Sequence, residues 1–119
     1  MIIKLELPPA VSENAYRRFV PGMKYPIISA AGRKYHETVK FLFLESGYPG
    51  ITGPVKIKAE FFPPDRRKRD LDNQFKCLFD ALVNAGCIED DALIVELHAF
   101  KREVFVGGLI YIEISKATG

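Results

Sequence analysis

The stretch from Val55 to Phe62, VKIKAEFF, alternates without a break: Val55, Ile57, Ala59 and Phe61 on one side, Lys56, Lys58 and Glu60 on the other. A repeat of two is the period of an extended strand with one face covered and one face wet. Such a strand cannot stand alone, so the chain must supply neighbouring strands and an apolar layer to cover the buried face. Ile2 to Leu7 repeats the pattern with Ile3, Leu5 and Leu7 and stops at Pro8 and Pro9. A third strand is expected from about Ala92 to Lys101. A fourth, LIYIEIS, follows Gly107 and Gly108 and is expected to form a hairpin with the third.

The covering layer comes from two segments of helical period. Ser29 can cap a helix with the stripe Tyr35, Val39, Leu42 and Phe43, ending near Gly47. A second helix begins near Asp72, carries Phe75, Leu78, Phe79, Leu82 and Val83 on one face, and ends at Gly86. The order is therefore β-α-β-α-β-β, an α/β (α+β) arrangement with a mixed twisted sheet and two packed helices. At 119 residues and 48% apolar content this is one domain, 1–119, able to bury a core without metal or disulfide staples. Ala10 to Ile28 is polar and marked by Gly and Pro, and is expected to be a long exposed loop. Loops of that length are uncommon without a function. SGYPGITGP, Ser46 to Pro54, is turn material.

Cys77 and Cys87 match no zinc spacing, and only His36 and His98 are present to assist them. Buried, reduced thiols in a cytoplasmic protein are expected, with no membrane segment and no signal peptide.

The formal charge is only +2, so any strongly basic surface must be local. DRRKRDLDNQFK, Asp65 to Lys76, is where it concentrates: Arg66, Arg67, Lys68 and Arg69 run directly into Asp70 and Asp72. Each acid has an ordinary explanation. Asp72 fits a helix N-cap and, four residues before Lys76, a helical ion pair; Asp70 fits a helix-dipole companion; Asp90 and Asp91 fit turn positions. Phosphodiester hydrolysis explains them together. A divalent cation offsets charge on the phosphoryl oxygens, and Mg²⁺ takes a small number of carboxylates with waters and substrate oxygens. The bases would hold DNA phosphates, and Lys76 would meet the charge that develops in the transition state.

The run from Asp65 to Asp91, DRRKRDLDNQFKCLFDALVNAGCIEDD, resembles the signature of the RusA-type Holliday junction resolvases. It has a basic lead-in, then D-x-D-N-x-x-K, then D-x-L-x-x-A-G, then paired aspartates shortly before a strand. In PPAVSENAYRRF the family's Ser-x-Asn and Tyr-Arg elements are present as Ser12, Asn14, Tyr16 and Arg17, with Ala10 and Val11 intervening. The resemblance implies a small homodimeric endonuclease, of a kind often carried by prophages. Such enzymes depend on Mg²⁺, with Mn²⁺ as a substitute, and act on four-way junctions and branched DNA. It implies that Asp70, Asp72 and Asp91 bind metal and that Lys76 is catalytic. Asp90 and Asn73 fall on motif positions of supporting duty. Arg66, Arg67, Lys68, Arg69, Lys76, Asn14, Tyr16 and Arg17 fall where DNA contacts are expected. Tyr16, Arg17, Arg18 and Phe19 mix bases with aromatics, which suits either stacking on an unpaired base or anchoring of the loop.

A helix of about 13 residues separates its ends by roughly 20 Å, while the residues from Gly86 to Asp91 reach at most about 17–18 Å. Either CIEDD runs back along the helix, or Asp91 meets the aspartates of a partner subunit, the arrangement favoured here. The principal rival is a branched-DNA-binding protein that does not cut. It would keep the bases without needing Asp70, Asp72 and Asp91 together. A PD-(D/E)xK nuclease is disfavoured because no Glu-x-Lys or Asp-x-Lys follows PPD at a sensible spacing. An HNH nuclease is disfavoured because His36 and His98 are isolated.

Overall fold

A computed structural model describes residues 1–117. The elements run β1 (Ile2–Leu7), α1 (Glu13–Tyr16), β2 (Arg17–Arg18), β3 (Ile27–Ile28), α2 (Ala30–Ser46), β4 (Val55–Phe62), α3 (Phe75–Ala85), β5 (Ile94–Lys101) and β6 (Leu109–Lys116). Short 3-10 turns at Leu71–Gln74 and Asp91–Leu93 lead into α3 and β5. The mixed α+β class is as expected.

The main sheet has the order β1-β6-β4-β5, with β6 antiparallel to β1 and β4, and β4 parallel to β5. The expected β5–β6 hairpin does not form. β6 enters between β1 and β4 and buries Ile110, Ile112 and Ile114 almost completely, as a central strand should. β5 is left at the edge, where Val95 and Leu97 remain exposed. The chain reverses after β5 at Gly107 and Gly108, both with positive φ, a conformation that glycine adopts without a Cβ penalty.

One face of the sheet carries the alternating residues Ile3, Leu5, Leu7, Val55, Ile57, Ala59 and Phe61, buried in a common core with Val39, Phe43, Leu78 and Leu82 of the helices. The other face holds Lys56, Lys58, Glu60, Glu96 and His98, tied by pairs such as Lys56–Glu96 at 3.4 Å. His98 lies on this sheet face and meets Glu96 at 3.1 Å.

Ser29 caps α2, its hydroxyl accepting from the Gly32 amide, and Gly47 ends the helix in the left-handed conformation. The segment expected to be a plain loop contains α1 and the β2–β3 ribbon. Tyr16 drives this organisation, because its ring is wholly buried. Cys77 and Cys87 are free and buried, and burial pushes their thiols up to about 11 and about 12. Among the described residues no helix is long and apolar enough to cross a membrane.

Candidate active site

The basic loop after β4 is organised by Asp65. Its carboxylate accepts from the Arg67 amide at 2.9 Å and grips the Arg69 guanidinium with both oxygens, at 2.6 and 3.1 Å. Hydrogen bonding from Arg69, followed by that from the Arg67 amide, holds the Asp65 carboxyl well below the usual carboxylate range. Lys101 of β5 donates to the Arg69 carbonyl at 2.7 Å. Arg69, expected as a DNA contact, is thus bound into the loop. Arg66, Arg67 and Lys68 project outward, and among the described residues Arg66 and Lys68 have no ion-pair partner.

Asp70 occupies the cap position of the Leu71–Gln74 turn, yet its side chain makes no cap hydrogen bond. Asp72, inside that turn, is also exposed. The helix Phe75–Ala85 has Gln74 and not Asp72 at its cap position, so the N-cap reading of Asp72 fails. Gln74 beside them accepts from the Ala10 amide at 2.7 Å and ties the N-terminal segment to the turn. Asn73 is half-buried and lines a groove with Asp70, Gln74, Ser12 and Arg69.

Lys76 does not pair with Asp72. Residues 71–74 are wound as a 3-10 turn, so the four-residue helical spacing begins only inside α3, where the Lys76 ammonium meets Asp80 Oδ1 at 3.0 Å. Beyond α3, Gly86 caps the helix and the chain is pinned by the Ile51–Ile88 bridge, with the Ile51 amide donating to the Cys87 carbonyl at 2.9 Å. The Gly53 amide adds a bond to Glu89 at 2.6 Å. A Cβ on Gly50 would collide with the Gly86 carbonyl, so the turn segment docks there only because Gly50 has none. Held in this way, CIEDD runs back along α3. Lys76, Asp80, Glu89, Asp90 and Asp91 line one open cleft of about 460 Å³.

Asp90 and Asp91 differ. Asp90 caps the Asp91–Leu93 turn through the Ala92 amide at 2.9 Å, and this bond, followed by one with Asp91, keeps its carboxyl below the usual range. Asp91 is exposed on the cleft.

Tyr16, expected as a DNA contact, faces the interior and offers no ring to a base. Its hydroxyl donates to Asp80 Oδ2 at 2.7 Å and lies 2.9 Å from His36 Nε2. Burial, then the Asp80 hydrogen bond, pushes the Tyr16 hydroxyl far above its ordinary value, so it stays a proton donor. Since its one proton goes to Asp80, its oxygen accepts from His36 Nε2–H. Burial lowers the His36 pKa, although Asp80 pulls the other way. Asn14, Arg17 and Arg18 are exposed nearby in sequence, as is Phe19 at 83%. The Tyr16–Asp80–Lys76 connection is what sequence reasoning missed. The Lys76–Asp80 spacing was its one visible sign.

Mg²⁺ asks for oxygen donors and commonly takes only one or two carboxylates from a protein. The exposed carboxylates of Asp70, Asp72 and Asp91 fit that chemistry. Among the described residues, however, no three His, Cys, Asp or Glu side chains are gathered closely enough to hold an ion.

Comparison with known proteins agrees with the motif. The family model for endodeoxyribonuclease RusA matches residues 6–115. The chain is 41% identical over 115 residues to the crossover junction endodeoxyribonuclease of Enterobacteria phage 82, covering 96% of this chain and 92% of that protein. Over the same spans it is 40% identical to the protein of that name from Shigella sonnei and 39% identical to that from Escherichia coli K12. A match that spans nearly the whole chain and includes the acidic, basic and Lys76 positions described above places this protein in the RusA endodeoxyribonuclease family.

Proposed function

We propose that this protein is a Holliday junction resolvase, a Mg²⁺-dependent endodeoxyribonuclease that binds four-way DNA junctions as a homodimer and nicks two opposed strands near the crossover. One observation carries the reading. In a chain whose curated relatives are named crossover junction endodeoxyribonucleases, Lys76 and Asp91, 15 positions apart, open on the same cleft.

Asp70, Asp72 and Asp91 would hold the ion, with Mn²⁺ able to replace Mg²⁺. When bound, the ion supplies positive charge to the phosphoryl oxygens and makes hydroxide available near neutral pH. The chain's own residues do the rest. Arg66, Arg67 and Lys68 grip flanking phosphates, with Asn14, Arg17 and Arg18 extending the contact. Asp90 orders the backbone beyond α3 through the Ala92 amide, and Asn73 lines the groove beside Asp70. The Lys76 ammonium donates to a phosphoryl oxygen at the cut and stabilises the charge that grows there.

Two cuts related by a two-fold axis require two sites in a fixed relation, which a C2 dimer supplies. The uncovered β5 edge with its exposed Val95 and Leu97 supports such a pairing surface. Completion of each acidic site by the partner subunit or by the bound phosphate accounts for the dispersed aspartates. The reduced, buried thiols suit a cytoplasmic setting.

The test is an end-labelled four-way junction incubated with and without Mg²⁺. Paired nicks that EDTA abolishes, and that Asp70→Asn loses while still binding the junction, are expected. Binding without nicks would favour the non-cleaving branched-DNA-binding alternative, and a strict monomer in sedimentation at working concentration would defeat the symmetric mechanism.

A further inference from the structure

We infer that Tyr16 and Asp80 are a positioning pair, fixing the Lys76 ammonium at the cleft that Asp91 lines, with His36 holding Tyr16 in turn. The inference rests on the catalytic role proposed above for Lys76, and it assigns work to residues given none there.

The connection is continuous. Lys76 Nζ meets Asp80 Oδ1 at 3.0 Å; Asp80 Oδ2 accepts from Tyr16 Oη at 2.7 Å; Tyr16 Oη accepts from His36 Nε2 at 2.9 Å. Each carboxylate oxygen of Asp80 has its own partner, so the carboxylate cannot rotate without breaking a bond. A lysine left to itself samples many rotamers of its long, flexible stem. A fixed carboxylate beside it reduces the set of positions its ammonium visits, and near-attack placement is where rate is gained.

The anchor is built for rigidity. Tyr16 is fully buried, and its carbonyl accepts from the Ser29 amide at 2.8 Å. A Cβ placed on Gly32 of α2 would lie 2.7 Å from the Tyr16 ring and 2.7 Å from the Ile28 side chain, so the ring occupies space that only a glycine leaves free. An exposed four-residue ion pair needs no such support. A phenylalanine would fill the same socket, so the hydroxyl is the part that packing does not explain.

Tyr16→Phe, Asp80→Asn and the double variant are to be compared with the intact protein in single-turnover nicking of a four-way junction. Junction affinity is measured separately with Ca²⁺ replacing Mg²⁺, and folding by thermal melts. Each single variant is expected to nick about 10- to 100-fold more slowly, the cost of a misplaced catalytic group, with affinity unchanged within about twofold. Because Tyr16 acts through Asp80, the double variant should be no slower than the slower single variant. Multiplying effects, full rates in both singles, or parallel losses of affinity and rate would each overturn the pair. If Tyr16→Phe fails to fold, Asp80→Asn, whose side chain is partly exposed, decides alone. Lys76→Ala separates the two levels. Full nicking by that variant removes the role of Lys76 and the pair with it. A slow Lys76→Ala beside fast Tyr16→Phe and Asp80→Asn removes the pair only.

Discussion

Replacing Gly32 with alanine sets two effects of opposite sign against each other. In an exposed helix the change stabilises by about 1 kcal/mol through propensity. Here the new Cβ would sit 2.7 Å from Tyr16 Cδ1, 2.8 Å from Tyr16 Cε1 and 2.7 Å from Ile28 Cγ2. Ordinary carbon contacts lie at about 3.5–4.0 Å, so the overlap is on the order of 1 Å. The Tyr16 ring is buried and its hydroxyl is held by Asp80 and His36, so it cannot swing clear without cost. Overpacking of a well-filled core costs about 1–3 kcal/mol, which leaves a net loss of about 1 kcal/mol after propensity is subtracted. For 119 residues the unfolding entropy is about 250 cal/mol/K, so that loss lowers Tm by about 4 °C. Calorimetry of the two proteins at one pH measures it. Displacement of the Tyr16 ring should also slow junction nicking beyond what the stability change explains. A Tm raised by several degrees with an unchanged nicking rate would refute the packing argument for Gly32.

Neutralising Arg66, Arg67 and Lys68 together should lower the slope of log affinity against log salt by up to about 3, roughly 0.9 for each DNA phosphate that the variant no longer neutralises. Arg69→Ala should change that slope far less while loosening the loop, since its guanidinium is engaged by Asp65; salt titrations of the two variants decide. Thiol-reactive dye should label Cys77 and Cys87 only as fast as the chain unfolds, because both are buried and their thiolates disfavoured; rapid labelling of the native protein would contradict this. Burial keeps His36 neutral to lower pH in the folded chain than in the unfolded one, where it takes up a proton near pH 6.5. Below that value the unfolded state binds the extra proton, so stability should fall with acidification until the folded His36 also titrates. Melts of the intact protein and His36→Gln from pH 7.5 to 5 should show a shallower decline in the variant.

Sequence alone determined the longer strands and helices and the inventory of chemistry. Alternation in VKIKAEFF and in LIYIEIS specifies strands, because a two-residue period leaves no other way to bury one set of side chains. Ser29, Gly47 and Gly86 mark helix ends through capping chemistry that neighbouring residues decide. The motif from Asp65 to Asp91 carried the family. Tertiary structure decided which strands pair, since β5 and β6 are alike in period and only competition for the sheet centre separates them. It decided that Tyr16 faces inward, that Arg69 serves Asp65, and that Lys76 pairs with Asp80 and not Asp72. It also turned CIEDD back along α3 through a bridge to Ile51, some 37 positions earlier. Each of these depends on groups distant in the chain competing for one partner or one space, and a local pattern carries no record of which competitor wins.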